Sequence, residues 1–435
     1  MAERTLHLNL NLGATGHPRA FIDPQYYAET ARIAERGLFD SIFLANISGL
    51  RNGVPTQGLD TIIVLTIIAQ ATEKIGMIGT ISTTLNHPYS IARWFASLEH
   101  VSKGRVGWNV VTTRNNNEGL NYGFDPLPDR VTRYERAIES IEVVTALWES
   151  WQEGAIVDEP GRPAHFDNTK WAPINHVGKH FSVAGPLQLP SYRKTRPLLT
   201  QAGGSDEGTG VAARYVDAVF TPELYLDTAQ ANYRKLKDEA ARYGRDPDTI
   251  SVLPGLTPVI ESSDATAQRR RAEQADRAAD PAEQLRAFAK WAGVEAAALD
   301  LDKPFPIEIL PASDPIFGSV GFDNATREYL RHNQHRSVRE LLSDGAGRGG
   351  HRNITGTPEQ IADDIESWFL GRAADGFILS LGRRPRPGSL EDFVEHVVPL
   401  LQRKGIFRTE YREDTIRQRF NAPVRSAAAV LATVE

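Results

Sequence analysis

The stretch GRVGWNVVTTRNNNEGLNYGF, residues 104–124, begins like a buried strand and ends as a polar loop. Its first half is rich in valine and carries a tryptophan, a composition typical of strands. Asn109 lies in the middle of this run, and Thr112 and Thr113 lie at its end. Apolar residues then recur at helical spacing from Val131 to Trp151. The stretch therefore predicts one strand, one loop and one helix, with an amide and two hydroxyls on the strand.

The same order recurs along the chain, because most runs of strand-like composition are followed by helical patterns. The predicted strands are Leu6–Leu12, Ser41–Ala45, Ile75–Ser82, Val106–Thr112, Pro197–Ala202, Ala218–Thr221, Ser251–Ile260 and Gly376–Leu381. Asp23 followed by Pro24, and the sequence Thr357–Gln360, are helix start signals. Strands alternating with helices in this number predict an α/β fold, a closed parallel TIM (β/α)8 barrel. An open doubly wound sheet is the alternative, and the absence of G-x-G-x-x-G after the first strand disfavours it.

Two long segments interrupt the regular alternation. We expect residues 1–435 to form a single domain with insertions at about 152–196 and 262–355. We place both insertions near the mouth of the barrel, because long segments inside a compact domain are usually functional. Residues 405–435 extend beyond the last predicted barrel helix. We interpret them as a C-terminal arm that joins the subunits of a homodimer or a homotetramer.

The composition excludes several classes of protein. A net charge of −6 provides no basic surface for nucleic acid and no polybasic patch for a membrane. The absence of cysteine excludes disulfides, thiolate chemistry and cysteine metal sites. The longest apolar run, around Ile62–Ala69, is shorter than the roughly 20 residues that a membrane span needs. The N-terminus lacks the pattern of a signal peptide, so we expect a cytoplasmic protein.

The carboxyl ends of the predicted strands, where such a barrel has its site, carry mainly amides and hydroxyls. These groups belong to Thr15, Asn46, Ser82, Thr83, Thr84, Asn86, Asn109, Thr112, Thr113, Gln201 and Ser205. There is no facing carboxylate pair for glycoside hydrolysis and no strand lysine for a Schiff base. The pairs His176/His180 and His332/His335 have no carboxylate at a metal-ligand spacing, so we predict no metal site. The set suits a polar, planar, phosphorylated cofactor.

Gly203-Gly204-Ser205 joins a predicted strand to a helix that starts near Asp206. Exposed backbone N–H groups at a helix start bind phosphate, and the serine hydroxyl adds to them. A plain helix cap formed by Ser205 is the alternative interpretation. His17 and His87 face the predicted mouth and are the candidate catalytic residues, since histidine titrates near neutral pH. A structural role in a loop is the alternative for both.

Several motifs occur in an order that resembles one enzyme family. They are TGHP, AERGLFDSIFLA, STTLNHPYSIAR, GRVGWNVVTT, NYGF, RYERAIESIEVVTALWESW, HVGKHFSVAGPLQLP and RPLLTQAGGSDEG. Together they cover most of residues 5–405 and resemble the bacterial luciferase-like flavin monooxygenases. Within that family the chain is most similar to the branch of nitrilotriacetate, EDTA and dibenzothiophene-sulfone monooxygenases. Each motif alone is unspecific, whereas their combined order is specific.

The resemblance implies a TIM barrel and a two-component monooxygenase. In such a system a separate NAD(P)H:flavin reductase supplies reduced FMN (FMNH2). The monooxygenase reacts FMNH2 with O2 to a flavin peroxide, which oxygenates a small organic substrate. Carried over to this chain, Asn109 and either Thr83 or Thr84 would contact the flavin ring or its ribityl chain. Tyr134 and Ser205, with the backbone of Gly204, would hold the phosphate.

The chain departs from the family pattern at two positions. Asn46 stands where the family often has an aspartate after the second strand, which removes a negative charge near the site. Arg130 stands four residues before Tyr134, where the family often has a histidine. A cation at a helix start meets the helix dipole unfavourably, and a bound phosphate would relieve that conflict. A phosphate contact is therefore one interpretation of Arg130, and a solvated side chain is the other.

Two further functions remain open. The chain could be a deazaflavin-dependent hydride-transfer oxidoreductase of the same superfamily, or a non-enzymatic flavin-binding protein. For the substrate, the aromatic residues of the two insertions predict an enclosed pocket wall that suits an apolar or heteroaromatic molecule. These residues are Trp171, His176, Phe181, Phe305, Phe317 and Phe322.

Overall fold

A computed structural model describes most of the 435 residues of the chain. The described residues are 4–13, 19–51, 54–55, 58–192, 195–269, 281–311, 320–344, 351–384 and 388–424. Within these ranges, no helix combines the length and the apolar character that a membrane span requires.

The strands of the main sheet form a closed ring. They are β1 (His7–Asn11), β2 (Ser41–Leu44), β3 (Gly76–Ser82), β4 (Val106–Val111), β5 (Leu198–Ala202), β6 (Ala218–Thr221), β7 (Ser251–Ile260), β8 (Arg352–Gly356) and β9 (Gly376–Leu379). The order β1-β2-β3-β4-β5-β6-β7-β9 returns to β1, and every pairing is parallel. The remaining strand, β8, lies outside the ring and pairs with the last five residues of β7. The predicted TIM barrel is confirmed.

Helices surround this ring. They are α1 (Pro24–Arg36), α2 (Thr61–Ala71), α3 (Pro88–Ser102), α4 (Asn116–Leu120), α5 (Arg130–Trp148), α6 (Asp206–Tyr215), α7 (Leu226–Arg242), α8 (Pro281–Ala292), α9 (Val320–His332), α10 (Val338–Asp344), α11 (Pro358–Leu370), α12 (Leu390–Asp392), α13 (Val398–Arg403) and α14 (Ile416–Arg419). A π-helical segment, Phe393–Val397, joins α12 to α13. The predicted start signals are confirmed, because Asp23 caps α1 and Thr357–Gln360 form a capping box on α11.

The C-terminal segment fills the lower end of the barrel. Ile416 and Phe420 are almost completely buried among apolar side chains that six strands direct inward. The Phe420 ring stacks on His7 of β1 at a centroid distance of 4.4 Å. We call residues 416–420, which fill this end of the barrel, the plug. Gly76 makes room for the plug, because a Cβ at this position would lie 2.5 Å from Ile416 Cδ1. The described part of the predicted arm, 405–424, thus packs on its own barrel.

A buried ion pair stabilises the plug in its position at the lower end of the barrel. Arg417 donates from both terminal nitrogens to the two carboxylate oxygens of Asp217, at 2.8 and 3.1 Å. Asp217 also accepts a hydrogen bond from the backbone N–H of Leu199 in β5. Burial alone would raise the pKa of Asp217, but the Arg417 guanidinium outweighs it and lowers the pKa below its ordinary value.

The first predicted insertion, 152–196, contains two short hairpins and packs on α5. The hairpins are Ile156–Val157 with His165–Phe166, and His176–Val177 with Ser182–Val183. Glu139 of α5 accepts three hydrogen bonds from this segment: from His176 Nε2 at 3.0 Å and from the backbone N–H groups of His180 and Phe181 at 2.9 and 2.8 Å. One carboxylate therefore holds the second hairpin against the barrel.

The second predicted insertion, 262–355, carries α8, α9, α10 and β8, with a small apolar core of its own. This core reaches Leu224 in the loop after β6. Beside it, the Tyr225 ring stacks on His332 of α9 at 3.9 Å. Glu223, in the same loop, is 4% exposed and accepts two hydrogen bonds from Asn232 Nδ2. Burial, together with the nearby Glu328 carboxylate of α9, raises the pKa of Glu223 to about 7.

We expect Arg417→Ala to lower the free energy of unfolding by about 3–5 kcal/mol, because it leaves the Asp217 carboxylate buried without its guanidinium. Urea unfolding followed by circular dichroism measures this loss. Arg412→Ala is the control, since Arg412 is largely exposed and pairs with Glu410 on the surface. Equal losses in the two variants would contradict the role of the buried pair.

We expect Glu223→Gln to raise the free energy of unfolding at pH 8 by about 2 kcal/mol and to leave it nearly unchanged at pH 4. The folded protein keeps a proton on Glu223 up to about pH 7, whereas the unfolded chain releases it near its ordinary pKa. Wild-type stability therefore falls as pH rises through this window, and the glutamine removes that loss. Thermal unfolding at both pH values measures the difference. Glu410→Gln, at an exposed surface pair, should show no such pH-dependent gain.

Candidate active site

A cavity of about 780 Å³ opens at the carboxyl ends of the barrel strands. Parallel barrels collect the ends of their strands at one rim, which explains why residues far apart in sequence meet here. The predicted residues that line the cavity are Asn46, Asn109, Arg130, Tyr134, Gly204 and Ser205. Lining residues that were not singled out as ligands include Asn11, Phe43, Thr80, Arg114, Glu118, Arg133, Phe220 and His351.

One wall of the cavity is a chain of polar side chains across neighbouring strands. Asn109 of β4 lies in register with Thr80 of β3 and Thr200 of β5. Its Nδ2 donates to Thr80 Oγ1 at 2.9 Å, and its Oδ1 accepts from Thr200 Oγ1 at 3.3 Å. These bonds fix the orientation of the amide, and an amide retains further donor and acceptor capacity. Asn109 is therefore a preorganised group in the cavity wall.

A second wall lies at the start of α6. Ser205 is the N-cap of this helix, and its Oγ accepts from the N–H of Gly208 at 3.0 Å. The same Oγ lies 3.4 Å from the hydroxyl oxygen of Tyr134 on α5. Burial raises the pKa of Tyr134, so its hydroxyl remains protonated and can donate a hydrogen bond. The helix start, a serine hydroxyl and a phenol thus converge on one point.

Arg130 lies beside this wall as the first residue of α5. Its Nε is 3.5 Å from Glu207 Oε1 and has no hydrogen-bond partner among the described residues. The guanidinium therefore retains a buried donor at the cavity, next to a helix start that favours an anion. This arrangement suits a phosphate group at the junction of α5 and α6.

The opposite side of the cavity is aromatic. Phe43 of β2 meets the Phe220 ring edge-on at 5.5 Å, and His351 stacks on Phe220 at 4.9 Å. Burial lowers the pKa of His351 to about 4, so its imidazole is neutral at neutral pH. Gly255 of β7 permits this packing, because a Cβ there would lie 2.5 Å from His351 Nδ1. This side offers rings and one neutral imidazole.

The polar loop after β4 is more ordered than the sequence suggested. Asn115 caps α4 by accepting from the N–H of Asn117 at 3.0 Å. Asn116 Oδ1 accepts from the N–H of Leu127 at 3.0 Å. Glu118 Oε2 accepts from the N–H and the hydroxyl of Ser48 at 3.1 and 3.2 Å. The loop is thus held to the segment after β2, across the end of β3.

Three described residues among the predicted site residues do not join this group. Thr83 and Thr84 are buried in the turn after β3, and Thr83 Oγ1 donates to Val111 O instead of facing the cavity. Successive side chains of a strand point to opposite faces, and in β3 the residue that lines the cavity is Thr80. His87 caps α3 and meets Phe181 edge-on, away from the cavity lining. His17 lies outside the described residues.

Those predicted pocket-wall residues whose side chains the structure describes lie outside the cavity lining. Phe181 and Phe305 are buried in apolar cores, and Trp171 lies in the hairpin region against Trp151. Phe317 and the side chain of Phe322 lie outside the described residues. That prediction is wrong for the described residues, because it read composition without knowing which residues face the cavity. The cavity's rings come from the barrel strands, from Tyr134 on α5 and from the residue before β8.

The histidines considered as metal ligands have other contacts. His176 pairs with Glu139 at 3.0 Å, and His180 Nε2 lies 3.8 Å from Glu135. Through the described part of the chain, no group of three or more His, Cys, Asp or Glu side chains is arranged to hold a metal ion. Both carboxylates lie on α5, which the sequence analysis did not consider as partners.

Comparison with known proteins gives a consistent result. The family model described as luciferase-like monooxygenase matches residues 5–375. The chain is 35% identical over 433 residues to N-acetyl-S-(2-succino)cysteine monooxygenase of Bacillus subtilis (strain 168), with 96% of this chain and 97% of that protein covered. It is 37% identical over 420 residues to nitrilotriacetate monooxygenase component A of Aminobacter aminovorans, covering 93% and 91%. A solved structure of riboflavin lyase with modified FMN and riboflavin superimposes with a TM-score of 0.81 at 28% identity, covering 99% of each chain.

Proposed function

The chain belongs to the luciferase-like monooxygenase family, and on that premise we propose that it is the FMNH2-dependent oxygenating component of a two-component system. O2 is the co-substrate, and one of its oxygen atoms enters a small organic substrate. The observation that carries the proposal is the cavity with an anion-binding end, a polar wall and an aromatic side. Those three parts correspond to the phosphate, the ring edge and the ring face of a flavin.

The residues present fit FMN. Ser205 Oγ, the Tyr134 hydroxyl, the N–H groups at the start of α6 and the Arg130 guanidinium would hold the phosphate. Asn109, tied between Thr80 and Thr200, would orient the ring. The bound flavin supplies the reaction with O2 that the side chains cannot perform. The protein's own contribution is to bind the flavin, to orient it and to exclude water.

A separate NAD(P)H:flavin reductase is part of the proposal. No dinucleotide-binding G-x-G-x-x-G follows β1, so the first strand of this barrel does not carry the nicotinamide-dinucleotide motif of the doubly wound fold. The name of the Aminobacter relative, component A, supports a division of labour between two proteins. We propose that FMNH2 reaches the cavity by diffusion, and that the reaction takes place in the cytoplasm, where NAD(P)H is available.

Rapid mixing tests the proposed function. The protein loaded anaerobically with photoreduced FMN is mixed with O2-containing buffer, and the return of oxidised-flavin absorbance is followed. We expect slower reoxidation than for free FMNH2, because the enclosed site shields the reacting flavin from water. Reoxidation at the rate of free FMNH2 would contradict the proposal. Tight binding of a reduced deazaflavin, without binding of FMNH2, would favour the hydride-transfer alternative.

Ser205→Ala should weaken FMN binding by roughly 1–2 kcal/mol, because one hydrogen bond to a charged phosphate is lost. The variant also loses the cap of α6, which costs about 1 kcal/mol of stability. Thr357→Ala is the matched control, since Thr357 caps α11 in the same way and does not line the cavity. Calorimetric titration with FMN should separate the two variants, whereas thermal unfolding should not. Unchanged FMN affinity in Ser205→Ala would contradict the phosphate role.

A further inference from the structure

Glu118 brings a carboxylate into the cavity at a fixed position. It lies on α4, is 8% exposed and lines the cavity. Its Oε2 accepts two hydrogen bonds from Ser48, at 3.1 and 3.2 Å. Gly49 packs so closely that a Cβ there would lie 3.1 Å from Glu118 Cγ. Such packing leaves the side chain little freedom to move away.

The second carboxylate oxygen is available to a ligand. Among the described residues, Glu118 Oε1 has no hydrogen-bond partner, while Oε2 is held by Ser48. A carboxylate oxygen accepts hydrogen bonds and does not donate them when it is ionised. A ligand group that donates a hydrogen bond can therefore bind to Oε1 without displacing Ser48.

Among the described residues, the lining that the β2 and β8 sides contribute to the cavity includes no charged side chain. Phe43, Ala45 and Ile47 come from β2 and the segment after it. Phe220 and the neutral imidazole of His351 come from β6 and the residue before β8. A molecule seated on this side meets apolar and aromatic surface and the Asn46 amide, and the Glu118 carboxylate lines the same cavity.

The guanidinium groups of α5 are engaged at the other end. Arg130 lies beside Glu207 at the start of α6, where the proposed phosphate binds. Arg133 is 2% exposed and donates to the backbone oxygen of Pro128 at 2.9 Å. Arg114, which follows β4, also lines the cavity. With α5 occupied by the cofactor phosphate, Arg114 is the cation whose charge competes with that of Glu118.

We propose that Glu118 determines which substrates the cavity accepts according to their charge. The aromatic side accepts an uncharged, largely apolar molecule with a hydrogen-bond donor, such as a hydroxyl or an amide, directed at Glu118 Oε1. It rejects carboxylate substrates, because like charges a few ångströms apart in a partly buried site repel strongly. The inference rests on the proposed function, since it assigns the substrate end of the same cavity.

Two probes of nearly equal shape test this inference. 2-Hydroxybiphenyl is neutral and donates one hydrogen bond, whereas biphenyl-2-carboxylate is its anionic counterpart. Calorimetric titration of each probe into the FMN-saturated protein gives the ratio of the two affinities. For the wild-type protein we expect a preference for the neutral probe of about tenfold or more. Glu118→Gln should reduce that preference about tenfold, mainly because the anion binds more tightly.

Three further variants separate charge from position. Glu118→Met removes the charge at similar length and should also reduce the preference. Ser48→Ala loosens the carboxylate but keeps its charge, so the preference should persist. Glu159→Gln, at an exposed surface pair with Arg162, should leave both affinities unchanged. Thermal unfolding of each variant shows which of them are folded. If Glu118→Gln does not fold, Glu118→Met replaces it in the titrations.

The outcomes are distinct. A wild-type protein that binds the anion as tightly as the neutral probe would overturn the inference and would indicate that Arg114 dominates. An unchanged preference in both Glu118 variants would also overturn it, as would failure of both probes to bind. These are binding measurements without turnover. Slowed FMNH2 reoxidation with an unchanged preference would therefore refute this inference alone. A Glu118-dependent preference in a protein whose FMNH2 reoxidises at the rate of free FMNH2 would refute the proposed function alone.

Discussion

The pairing of β6 with β7 is the constraint on which the rest of the structure depends, because it converts a sheet into a ring. Ala218 to Thr221 pair in register with Ser251 to Pro254. Closure leaves the eight ring strands without a free edge and brings all their carboxyl ends to one rim. Only then can Phe43 of β2 and Phe220 of β6, which belong to strands on opposite sides of the ring, share a cavity. Closure also creates an interior that must be filled, by apolar side chains and the C-terminal segment below and by polar groups above.

The positions of the eight ring strands could be predicted from sequence, because several are continuous apolar runs and most are followed by helix signals. The strand outside the ring, Arg352–Gly356, was missed because it is only partly buried, so its composition resembles that of a loop. The plug at 416–420 was missed for a different reason. Its apolar residues are few and alternate with arginines, and only the tertiary structure reveals that Arg417 has a buried carboxylate to meet.

In the site, residues that carry a local sequence signal could be predicted, whereas residues defined only by contacts distant in sequence could not. Ser205 and Asn109 carry local signals, a helix start after two glycines and an amide inside an apolar strand, and both line the cavity. Thr83 was misjudged because the end of a strand in sequence is not the point where its inward side meets the cavity. Glu118 and His351 had no local signal, since each acts through neighbours that are distant in sequence. Glu118 lies on a helix within the loop after β4, so its position in the sequence is not that of a strand-end carboxylate.

The position of the plug has a consequence for biosynthesis. The residues that seal the lower end of the barrel, 416–420, are translated only after every strand of the ring has been made. Until they arrive, the apolar side chains that strands such as β3 and β5 direct inward are open to solvent at that end. A nascent chain that has completed its ring therefore still exposes the kind of surface that chaperones bind and that drives aggregation. The segment that seals this end can therefore dock only after the last strand of the ring, Gly376–Leu379, has been synthesised.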